Sequence, residues 1–99
     1  MRTVRDKIDG DLTVDDEVAL YGMVTGNVLV TGALDLYGMC CRDLIVEKGA
    51  RVNVYGMVSG NTVNRGGTLN VSGLIMGKLH EESGHTSVDR GAVVGGQRR

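Results

Sequence analysis

LYGMVTGNVLV, residues 20–30, carries two markers that recur along the chain. The first is Tyr21-Gly22-Met23, repeated as Tyr37-Gly38-Met39 and Tyr55-Gly56-Met57, with Ser72-Gly73-Leu74 in step behind them. Its glycines are 16, 18 and 17 residues apart. The second is Asn27-Val28-Leu29-Val30, matched by Asp11-Leu12-Thr13-Val14, Asp43-Leu44-Ile45-Val46 and Asn61-Thr62-Val63-Asn64. A third is a turn before the next apolar pair: Gly32-Ala33, Gly49-Ala50, Gly66-Gly67 and Gly91-Ala92. A fixed period of this length marks a repeat architecture.

Within each unit apolar residues alternate with polar or small ones, which is strand periodicity. Leu34, Leu36, Gly38 and Cys40 correspond to Val52, Val54, Gly56 and Val58, and then to Leu69, Val71, Gly73 and Ile75. No stretch has the spacing of a helix longer than a turn or two. About 17 residues hold three short strands and three bends, so the expected fold is all-β: a single-domain, three-sided parallel β-helix. Stacked at the interstrand spacing, about five coils make a column on the order of 24 Å tall. Residues 1–9 are expected to form a cap or partial coil and residues 10–77 the regular coils. Residues 78–99 should form an irregular last coil, with Lys78 to Ser83 as an inserted loop or distortion.

Composition agrees. The 99 residues include 16 glycines, no proline, and 41% apolar residues. Three tyrosines are the only aromatics. A narrow interior of Val, Leu and Ile ladders has no room for rings, and glycine suits corners that need positive φ or close backbone approach. The net charge of −1 gives no basic footprint for nucleic acid. No apolar run follows the N-terminal basic residues, and no segment is long enough to span a bilayer. Two adjacent cysteines do not make a disulfide framework. A cytoplasmic protein without membrane insertion is the expectation.

The run Gly-Asn-Val-Leu-Val-Thr-Gly-Ala-Leu-Asp-Leu-Tyr-Gly-Met (residues 26–39) has partners in Val-Tyr-Gly-Met-Val-Ser-Gly-Asn (54–61) and Val-Ser-Gly-Leu-Ile-Met-Gly-Lys (71–78). Together they resemble the bactofilin domain, over roughly residues 10 to 77. The resemblance implies a right-handed β-helix and a non-enzymatic, nucleotide-independent, polymer-forming cytoskeletal protein that stacks end to end. The sequence departs from that family in having fewer coils and no proline-containing flanks.

Alternation about the corner glycines places Tyr21, Met23, Tyr37, Met39, Tyr55 and Met57 outside, with Ser72 and Leu74 continuing the column. Such a Tyr/Met strip is either a self-stacking surface ladder or a protein-binding face. Asp15-Asp16-Glu17 is a solvated turn or an acidic patch for a basic partner. His80-Glu81-Glu82-Ser83-Gly84-His85 has its histidines five apart, so it lacks the helical i, i+4 zinc spacing and reads as a solvated loop. Cys40 takes a core valine's place and Cys41 a surface serine's. Asn70-Val71-Ser72 fits a glycosylation pattern by chance inside a strand. No catalytic, metal-binding or cofactor-binding residue is identified, so an enzyme is not expected and no cofactor is required.

Two functions follow from these features. One is self-association through the coil ends, since an acidic N-terminal and a more basic C-terminal region favour head-to-tail stacking. The alternative is a small soluble immunity-type protein that neutralises a toxin partner through the acidic cluster and the Tyr/Met strip.

Overall fold

The computed structural model describes residues 2–95 and the backbone of residues 97–98. It is a parallel β-solenoid with no helix among the described residues. The first coil is β1 (Arg2–Val4), β2 (Lys7–Ile8) and β3 (Leu12–Val14), and the second β4 (Glu17–Leu20), β5 (Met23–Val24) and β6 (Val28–Val30). The third is β7 (Ala33–Leu36), β8 (Met39–Cys40) and β9 (Leu44–Val46). β10 (Arg51–Val54), β11 (Met57–Val58) and the start of β12 (Thr62–Val71) make the fourth. The rest of β12, β13 (Leu74–Ile75) and the start of β14 (Leu79–Val88) make the fifth, and β15 (Val93–Val94) and β16 (Gln97–Arg98) follow. The first coil thus begins at Arg2, and pairing runs through both of the expected segment boundaries.

The register follows the first two sequence markers. Val18 pairs with Leu34, Leu34 with Val52 and Val52 with Leu69. Val24, Cys40, Val58 and Ile75 form a second inward column, and Leu12, Val28, Leu44, Thr62 and Leu79 a third. The middle members of all three columns are fully buried, which is the narrow ladder core that the composition implies.

The third marker is off by one residue. Ala33 pairs with Arg51, so Gly32 lies beneath Ala50 and not beneath Gly49. The corner between Val46 and Arg51 holds two residues more than the one between Val30 and Ala33, with Gly49 at φ 81° among them, which accounts for a step of 18 against 16. Gly91-Ala92 belongs to a different corner, because Val93 pairs with Leu74. Of the two forms expected for the Lys78–Ser83 region, the structure has the distortion and not the inserted loop: Leu79 to Val88 form one long strand on β12, with register shifts near Asn64, Arg65 and Thr68. A parallel neighbour that is itself continuous supplies the backbone partners, which outweighs the polar composition of the segment.

The core changes character under this last coil. Asn64 follows Val14, Val30 and Val46 in an inward column and is fully buried. Its amide nitrogen donates to Gly67 O, His85 O and Thr86 Oγ1 at 3.0–3.1 Å, and its oxygen accepts from Gly66 N and Gly67 N. Thr62, also fully buried, has no partner for its hydroxyl. A buried hydroxyl without a hydrogen bond is costly. Thr62→Val should therefore raise the unfolding free energy by about 1 kcal/mol, measured by urea denaturation; a loss of stability would contradict the assignment.

Candidate interaction site

The tyrosines form a stacked column on one corner. Tyr21 and Tyr37 have ring centroids 4.7 Å apart at 6°, and Tyr37 and Tyr55 4.9 Å apart at 13°. Parallel coils in register set this spacing, because each ring stands at the same point of successive coils. The Arg5 guanidinium lies 4.9 Å from the Tyr21 ring centre and closes the column on the N-terminal side. At the other end Ser72 donates a hydrogen bond to the Asp89 carboxylate. Each tyrosine is still nearly half exposed, at 44–48%. Desolvation between its neighbours raises the Tyr37 phenol above its usual pKa, with Asp35 and the two flanking phenols adding to it.

Met23, Met39 and Met57 sit beside the tyrosines but are half-buried. Their column runs Lys7, Met23, Met39, Met57, Leu74 and Val93, so neighbours cover one another's flanks. The exposed part of the strip is therefore aromatic. Among the described residues Met76 is the exposed methionine, at 55%, and alternation past the inward Ile75 could have found it.

Asp15, Asp16 and Glu17 are exposed at a different corner and border an open groove of about 550 Å³ with Gly32, Gly49 and Arg51. Asp16 pairs with Arg2 at 3.4 Å. The acidic residues and the tyrosine column do not come together in one site. His80 and His85 are exposed on β14, and the described residues include no group of three metal-ligating side chains. Cys40 is buried, which pushes its thiol pKa up, and Cys41 is half-buried.

Two polar ladders escaped the sequence reading. Asp11 Oδ1 accepts from Asn27 N at 2.7 Å, Asn27 Oδ1 from Asp43 N, Asp43 Oδ1 from Asn61 N, and Asn61 Oδ1 from Lys78 N. The Asp/Asn marker is thus a corner device, in which each side chain holds the backbone of the next coil. Asn53 donates to Asp35 and Asn70 to Asn53 on another face, which gives Asn70 a structural role.

The two ends differ. At the N-terminal end β1, β2 and β3 are paired on one side only, and Val4, Ile8 and Leu12 are half-buried. At the C-terminal end β16 lies antiparallel on β15, and the exposed Glu81 stands above Asn64 in an inward column. The basic surplus expected at this end is not found among the described side chains. Lys78 and Arg90 stand against Glu81, Glu82 and Asp89, and the side chains of Arg98 and Arg99 lie outside the described residues.

Among the described residues no helix is long and apolar enough to cross a membrane. Comparison with protein families, with curated proteins and with solved structures gave no match.

Proposed function

We propose that this protein is a non-enzymatic structural protein that associates with itself through the ends of its β-solenoid, as the bactofilin resemblance implies. It needs no cofactor in this role, and the cytoplasm is the proposed location. The observation that carries the reading is the N-terminal end. Three strands there leave one edge of backbone donors and acceptors unpaired, above side chains that continue the core. Such edges are templates for another chain unless they are capped.

Light scattering over a concentration series tests this, with electron microscopy on the same samples. The expected result is a mass above the 10.5 kDa of one chain that rises with concentration. A single-chain mass throughout would overturn it. A second reading rests on the stacked, half-exposed tyrosines: an immunity-type protein docks a separate protein on that face. Tyr37→Ala with Tyr55→Ala would abolish such a complex and leave end-to-end association intact.

A further inference from the structure

The proposed self-association leaves open which end is used and with what symmetry. The two ends are not equivalent. Adding a copy to the C-terminal end would bury Glu81, since it lies in an inward column. A carboxylate sealed under another coil without a cation is strongly unfavourable. Continuing the register head to tail would set Arg5 on Asp89 and Asp11 on Lys78, both favourable. It would also set Val14 on Glu81 and bring Asp15 and Asp16 beside Glu81 and Glu82.

The N-terminal coil has a pattern that fits a second copy of itself. Reading outward from Ile8 in both directions, Lys7 faces Asp9, Arg5 faces Asp11, Val4 faces Leu12 and Thr3 faces Thr13. Each charged pair is of opposite sign. Arg2, Val4, Ile8, Leu12 and Val14 hold the inward positions of the coil, and of these Val4, Ile8 and Leu12 are the half-buried apolar ones. A two-fold axis through Ile8, perpendicular to the column, reverses strand direction between the copies. It sets β2 against β2 of the second copy, and β1 against its β3, both antiparallel. Directly opposed residues in antiparallel strands project to the same side, so inward residues meet inward ones.

We infer that the N-terminal coils of two copies pair antiparallel about Ile8, giving an isologous dimer in which Lys7 and Arg5 of each copy face Asp9 and Asp11 of the other. Val4 of one copy covers Leu12 of the other, so the half-exposed core ends are closed. Within one chain Lys7 already reaches Asp9 at 3.6 Å and both are exposed, while Arg2, inward above Val18 and set against Val14 of the second copy, keeps Asp16 at 3.4 Å as its counter-charge. A two-fold contact is self-limiting, so the product is a dimer and not a filament. This rests on the self-association reading and adds its end, register and symmetry.

Charge-swap mixing tests it. One variant carries Arg5→Asp with Lys7→Asp, and a second carries Asp9→Lys with Asp11→Lys. Each alone should dimerise at least about tenfold more weakly than the natural sequence, because like charges then face each other. An equimolar mixture should recover the dimer, since every facing pair is again of opposite sign. A mixture no tighter than its components overturns the two-fold register, while self-association of the natural sequence still supports the broader reading. If the natural sequence is itself monomeric, both fail. Hydrogen exchange on the natural sequence, at low and high concentration, gives the same answer if a variant misfolds. Protection should rise in residues 2–14; a rise confined to residues 79–88 contradicts the inference.

Discussion

Gly38→Ala is expected to lower the unfolding free energy by about 3 kcal/mol or more, a large share of an ordinary domain's total of about 5–15 kcal/mol. The corner glycines Gly22, Gly38, Gly56 and Gly73 stack on one another, and none has positive φ. A methyl on Gly38 would lie 1.9 Å from Gly22 O and 2.7 Å from Tyr21 O. Both are backbone atoms: Gly22 O accepts from Met39 N of the next coil, and the Tyr21 amide donates to Val4 O of the first, so this backbone cannot move without parting the coils. Gly49 provides the contrast. Its φ of 81° strains any other residue, yet nothing lies within 4 Å of a methyl placed there. Gly49→Ala should therefore cost only about 1 kcal/mol. Urea denaturation of the two variants side by side decides the point; equal losses would mean that close approach is not what fixes the Tyr-Gly-Met glycine.

Asn64→Ala should cost about 3 kcal/mol and loosen one part of the molecule first. It removes all five hydrogen bonds of the side chain and leaves Gly66 N and Gly67 N without that acceptor. Three of the five stay within the turn at residues 64–67, and two reach the last coil at His85 and Thr86. Hydrogen exchange should therefore show the largest loss of protection across Leu79–Val88, before the remaining coils open. Uniform loss along the chain would contradict this, as would a cost no greater than that of a surface change.

Both predictions bear on what was legible in the sequence. The repeat was legible because Gly22, Gly38, Gly56 and Gly73 meet the same backbone in successive coils, so the geometry imposes the same residue each time. The inward columns were legible for the same reason, down to Cys40 in a valine's place. Asn64 was not: an asparagine at an inward position reads as a break until its hydrogen-bond partners are seen. The continuity of β14 was equally hidden, since Glu81, Glu82 and Ser83 have no strand signature and are held in place by β12. At the Tyr-Gly-Met corner, alternation placed tyrosine outside correctly, but it could not show that stacked methionines shield each other. The Lys7–Asp9 and Arg5–Asp11 relation about Ile8 is visible in the letters, yet it has no meaning until Val4, Ile8 and Leu12 are known to close one end of the column.

Sedimentation equilibrium of the natural sequence across a wide concentration range tests that end most directly. The mass should rise from that of one chain and level off at twice the 10.5 kDa value. A mass that stays at one chain at every concentration, or climbs without a plateau, would contradict a closed pair formed through the first coil.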